Sequence, residues 1–149
     1  MGCTTTLCGA AGAVTDRIKI ATAATNQTTR HPIVTASYAT TMHRLTGGRF
    51  SLGLGRGIDA MFQAYGIPKI TTKAMEEFAG LMRRLWKGER VNGASLEPVW
   101  PAALGGPPVM IGSWAGSRWI ERAAREFDGW VGSGARSSWW YSRPNSAPS

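Results

Sequence analysis

Three glycines at alternate positions, Gly53, Gly55 and Gly57, close the stretch RFSLGLGRGIDA at residues 49–60, and Asp59 follows them. A glycine-rich loop after a strand can cradle phosphates, because bare backbone lets an anion approach the N–H groups. The dinucleotide fingerprint is G-x-G-x-x-G at a strand-to-helix turn, with an acidic residue about twenty positions on. Here the third glycine stands one position early and residue 58 is Ile. The next clear helical pattern starts near residue 71, so Glu76 and Glu77 fall inside a helix. This spacing favours close backbone packing at a strand end, with Gly57 permitting a turn. Such a strand end can still border a site, since parallel folds build sites at the C-terminal ends of their strands.

A second set lies in IGSWAGSRW, where Gly112, Ser113, Gly116 and Ser117 separate a strand pattern from a helical one. Small residues there would expose the free N–H groups of a first helical turn to an anion, and the serine hydroxyls would add donors. Ordinary helix capping by Ser113 or Ser117 is the other reading. His31 precedes Pro32 and reads as a helix-start residue, and His43 reads as structural. Asp59 reads as a turn residue. No Ser/His/Asp set, carboxylate pair or metal cluster can be assembled, so the catalytic residues stay unassigned. Cys3 and Cys8 near the start have no histidine beside them, which fits neither a zinc site nor a disulfide framework.

The elements that must position these residues alternate. LCGAAGAVTD reads as the last turns of a helix. RIKIATAATN gives a strand over 17–25, bounded by Asn26 and Gln27. Pro32 opens a helix that Gly47 and Gly48 close. RFSLGLG is a second strand. The clearest helix follows Thr71 or Thr72, with Met75, Phe78, Ala79, Met82, Leu85 and Trp86 on one face. Glu76 and Glu77 stand early in it and Arg83, Arg84 and Lys87 late, which complements the helix dipole. Residues 89–107 read as a loop, PVMIGS as a third strand, SRWIERAAREF as a third long helix and GWVGSG as a fourth strand. Alternation of helix and strand predicts a parallel sheet with helical crossovers. From Arg136 onward the period is lost, and residues 136–149 read as a disordered or out-of-frame tail after a domain at 1–135.

The chain has 149 residues, 43% of them apolar and 17% charged. The low charged fraction indicates elements covered by one another, not a solvated chain. The net charge of +8 comes from 17 Lys and Arg against 9 Asp and Glu, spread along the chain without a run of five like charges. That distribution argues against a nucleic-acid partner. No apolar run approaches a membrane span, and no signal peptide is present at the start, so no membrane partner and a cytoplasmic location are expected. MGCTTT fits the loose myristoylation pattern, and coincidence is the preferred reading.

TDRIKIATAATNQTTRHPIVTAS and LTGGRFSLGLGRG, followed in order by EEFAGLMRRLWKGE, PPVMIGSW and AAREFDGW, resemble the luciferase-like monooxygenase superfamily. The resemblance is greatest to its deazaflavin-dependent (coenzyme F420) oxidoreductases and covers residues 10–135. It implies an α/β fold, a partial (β/α)8 TIM barrel of about four parallel strands with crossover helices, incomplete at both ends. It implies coenzyme F420 or FMN as cofactor, bound at the C-terminal ends of the strands. In relatives the backbone matching Thr22, Ala23 and Ala24 lies against the cofactor ring, often with a non-proline cis bond, and a residue bulkier than Ala24 is common there. Gly112, Ser113, Gly116 and Ser117 match the cofactor-phosphate region. Deazaflavin-type relatives often carry a carboxylate where this chain has Ile58, and Asp59 is the adjacent substitute. No metal site is expected.

A complete barrel needs about 250 residues. The resemblance therefore implies that the first two and last two strands are missing. The expected function is that of a fragment of a flavin- or F420-dependent oxidoreductase, acting by hydride transfer or oxygen activation on a small organic substrate. Inherited cofactor contacts and little activity of its own are expected of the fragment. The rival expectation is a truncated non-catalytic product, or a chain active only when paired with another. The exposed edges of an incomplete sheet give a route to self-association.

Overall fold

A computed structural model describes residues 3–93, 95–96, 105–114, 119–133 and 140–142. In chain order the elements are α1 (Thr4–Ala13), β1 (Ile20–Ala21), α2 (Pro32–Leu45), β2 (Phe50–Gly55), α3 (Asp59–Ala64), α4 (Thr72–Trp86), β3 (Val109–Trp114), α5 (Trp119–Glu126), β4 (Gly129–Ser133) and β5 (Trp140–Ser142). The strands form one sheet in the order β1-β2-β3-β4-β5. The first four run parallel and β5 is antiparallel to β4. Among the described residues spatial order follows chain order with no reversal, so these strands make no switch-point crevice of the dinucleotide-binding kind. The result is a curled, open half of a (β/α)8 barrel.

Strand alternation sorts the sheet into two faces. Phe50, Leu52 and Leu54 of β2 and Val109 and Ile111 of β3 are buried in a core with Ala36 and Ala39 of α2 and Met75, Met82, Leu85 and Trp86 of α4. Trp86 ties the two helices together by donating its indole N–H to the Ala36 carbonyl at 3.2 Å. The opposite face carries Ser51, Gly53 and Gly55 from β2, matched by Met110 and Gly112 from β3. In a closed barrel this is the inner face.

The helix boundaries have local causes. His31 caps α2, its Nδ1 accepting from the Ile33 amide at 3.3 Å, and Pro32 occupies the first turn. Thr71 caps α4 by accepting from Ala74 N–H at 3.1 Å. Gly88, at φ 81°, ends α4 in a left-handed turn that only glycine adopts without cost. His43 bonds the Phe50 carbonyl at 3.2 Å and has a structural role.

Three expectations are corrected. The strand expected over 17–25 is ladder-paired only at Ile20–Ala21, with one further bridge between Thr25 and Leu54. Arg17–Lys19 lie before the ladder, where the Arg49 guanidinium binds the carbonyls of Thr15 and Ile18. A short helix, α3, follows the glycine loop directly. Six residues with Phe62 as the buried one leave no periodic signal to read. Asp59, taken as a turn residue, is the first residue of that helix. The LCGAAGAVTD stretch supplies the latter part of α1, which runs over 10 residues and ends at Ala13. Within 136–149, residues 140–142 form β5, and the rest lie outside the described residues.

Candidate functional site

Between Ala21 and Thr25 the first strand carries one residue more than β2 spends over the same interval. Ala21 stands opposite Ser51 and Thr25 opposite Leu54. This is a bulge, and it has a specific support. The Thr22 hydroxyl donates to the Gly53 carbonyl at 2.9 Å and accepts from the Gly53 N–H at 2.8 Å. A side chain thus stands in for the backbone where the ladder is interrupted. The ladder resumes with Thr25 N–H on Gly53 O at 2.8 Å and Gly55 N–H on Thr25 O at 3.0 Å. The Ala23–Ala24 peptide within the bulge is cis.

The bulge leans across the inner face of β2, and this is what two of the glycines are for. A Cβ on Gly53 would stand on the Thr22 carbonyl. A Cβ on Gly55 would lie 2.8 Å from the Ala24 methyl. Gly112 of β3 completes the arrangement, since a Cβ there would lie 3.5 Å from the same methyl and 3.8 Å from Gly55 Cα. Thr22 is buried, while Ala23 and Ala24 remain exposed. Two small residues are therefore presented at the C-terminal ends of β1, β2 and β3 with no large side chain beneath them. Gly57, at φ 75°, makes the turn into α3, and the Phe62 ring fills the place of its missing side chain.

The next groups along this rim are charged. Arg56 follows β2 and its Nη2 donates to both Asp59 oxygens, at 2.9 and 2.7 Å. Lys69 reaches the same carboxylate at 3.1 Å. The Arg56 hydrogen bond and then that of Lys69 hold the Asp59 carboxyl below its usual range. Asp59 is thus committed to two cations, and Ile58 beside it is 63% exposed. Sequence reasoning weighed the glycines and passed over Arg56 between two of them. A cation flanked by glycines was the available signal.

Ser113 is reached by the Trp130 indole N–H at 2.8 Å, which leaves its own hydroxyl hydrogen free to donate elsewhere. Gly116 and Ser117 lie outside the described residues, so the structure joins Gly112 and Ser113 to Thr22, Ala23, Ala24 and Asp59 on one rim and is silent on the other two. Cys3 also belongs to this end. It is the N-cap of α1, its Sγ is 2.8 Å from Thr5 Oγ1, and Arg30 from the loop after β1 approaches it at 3.4 Å. Hydrogen bonds from the Thr5 hydroxyl first and then from Thr6 push its thiol down to about 6. Sequence reasoning set it aside as part of a frayed end. Among the described residues no group of three His, Cys, Asp or Glu could hold a metal, and no helix is long and apolar enough to cross a membrane.

Residues 3–141 match the family described as luciferase-like monooxygenase. An uncharacterized protein of Mycobacterium tuberculosis is 34% identical over 141 residues, covering 83% of this chain and 47% of its own length. The coenzyme F420-dependent tetrahydromethanopterin reductase of Methanopyrus kandleri has the same fold over 88% of this chain and 44% of its own, with TM-score 0.68 and 21% identity. So does the oxygenating constituent of 3,6-diketocamphane monooxygenase of Pseudomonas putida, solved with FMN, over 86% and 42%, with TM-score 0.68 and 22% identity. The chain spans less than half the length of the curated relatives it matches.

Proposed function

The chain belongs to the luciferase-like monooxygenase family, and on that premise we propose that its strand ends form part of a cleft for coenzyme F420 or FMN. The observation that carries this reading is the Ala23–Ala24 bulge, seated on Gly53, Gly55 and Gly112 and exposed at the C-terminal ends of three strands. A flat ring system fits such a surface, because the bulge presents only the two alanine side chains where it crosses Gly53 and Gly55. Thr22, Ala23 and Ala24 hold the ring side. Gly112, Ser113, Gly116 and Ser117 serve the phosphate side, with the Ser113 hydroxyl as donor. Asp59 acts beside them by orienting Arg56, whose charge favours an anionic group on this rim.

When bound, either cofactor supplies the redox chemistry, hydride transfer or oxygen activation on an organic substrate. This chain's own residues bind it, orient it and keep one ring face against backbone. The whole protein's activity is proposed as that of a flavin- or F420-dependent oxidoreductase acting in the cytoplasm. A non-catalytic or pairing-dependent chain is the second reading.

Fluorescence titration with FMN, riboflavin and coenzyme F420 tests the proposal. Binding of FMN or F420 is expected, with riboflavin weaker than FMN by about 10- to 100-fold, since one charge-assisted hydrogen bond contributes about 1.5–3 kcal/mol. No change with any of them at high micromolar concentration overturns the cleft. Equal affinity for FMN and riboflavin removes the phosphate contacts. Ring binding without turnover of any substrate favours the second reading.

A further inference from the structure

Only six residues separate Ser133, which ends β4, from Trp140, which begins β5. A parallel return needs a crossover of a dozen or more residues, so a connection this short brings the chain back antiparallel. That is the pairing present: Gly129 faces Ser142, Trp130 faces Tyr141 and Val131 faces Trp140. Every other neighbouring pair in the sheet is parallel. β5 therefore occupies the edge of β4, over Gly129–Val131, on which another barrel strand would extend the sheet.

The two edges of this half-barrel would otherwise be unequal. β1 is two residues long and gives way at once to the bulge, which makes it a poor template. β4 has five residues in an unbroken ladder with β3. Uncovered, it would be the longer row of free N–H and C=O groups. Two copies of such an edge, related by a two-fold axis, pair antiparallel, in the direction that β5 already uses.

We propose that β5 is an edge cap that keeps β4 from pairing with the β4 of a second copy of this chain. The test compares the unmodified chain with the double variant Trp140→Pro/Tyr141→Pro by sedimentation across the micromolar range. Successive residues of a strand point their N–H groups to opposite sides, so two adjacent prolines remove the ladder donor in either register. The unmodified chain is expected at its monomer mass of 16.0 kDa at all concentrations. The double variant is expected to rise toward twice that mass with concentration, and a Trp140→Thr/Tyr141→Thr control to stay monomeric.

A double-proline chain that stays monomeric overturns the proposal, as does an unmodified chain that is already a dimer. Hydrogen exchange on the unmodified chain gives a second readout that no folding defect of a variant can spoil. Protection of both alternating sets of amides over Gly129–Val131, independent of protein concentration, supports the cap. Protection that emerges only as concentration rises overturns it.

Discussion

Asp59 sits between Arg56 and Lys69, and Cys3 beside the Thr5 and Thr6 hydroxyls, so the carboxyl and the thiol are both held below their ordinary values. A carboxyl whose folded pKa is lowered adds stability above its unfolded value and loses it as pH falls through the folded value. Asp59→Asn is therefore expected to flatten the acid side of the Tm-against-pH curve, below the ordinary carboxylate range. At neutral pH the loss is small, because the pair is exposed and screened. An acid limb as steep as in the unmodified chain counts against the ion pair. For Cys3 the readout is alkylation by iodoacetamide, followed by mass spectrometry of its peptide. The rate is expected to level off above about 6, and Thr5→Ala to move the inflection upward. Buried Cys8 stays unreacted in the folded chain. An inflection near the usual thiol value refutes the hydrogen-bonded thiolate.

At the scale of elements, the bulge after β1 decides where the rim residues stand, and Thr22 decides the bulge. Thr22→Val keeps the shape and deletes both hydrogen bonds to Gly53. The buried Gly53 N–H then loses its partner, at a cost of about 1–3 kcal/mol, while the Gly53 carbonyl still accepts from the Thr25 N–H. Thr22→Ser keeps both bonds and gives up a methyl group, and is expected to lie closer to the unmodified chain. Urea midpoints separate the two variants, and equal losses would show that packing, not hydrogen bonding, supports the bulge. The sequence made the long elements plain: the apolar face of α4 at Met75, Phe78, Met82 and Leu85 is the buried face. It left α3 unreadable because six residues are too few for a period. It overextended the first strand because RIKIATAAT has the composition of a strand throughout, and nothing local reports where pairing stops.

At the scale of the whole molecule, four parallel strands in chain order and the helices on one face make half of a barrel. On the inner face Gly53 and Gly55 admit the bulge instead of filling the barrel. The described sheet runs from a very short β1 to an antiparallel β5. If the double-proline variant dimerises, the second of these is what keeps the half-barrel to itself. The cofactor titration asks a separate question, whether three strand ends suffice to hold a ring, and each result stands without the other.

By itself the sequence determined the alternation of helix and strand, the parallel sheet, the faces of the long helices and the family. Periodicity and ordered motifs are local properties, and they survive without any knowledge of contacts. The tertiary structure alone decided which glycines serve which neighbour. Gly53 and Gly55 are glycine because Thr22 and Ala24, about thirty residues earlier, press against them once the bulge forms. It also decided that Asp59 is engaged by Lys69 as well as by Arg56, and that Cys3 lies within reach of Arg30. These depend on distances across the fold, and no spacing within the chain encodes them.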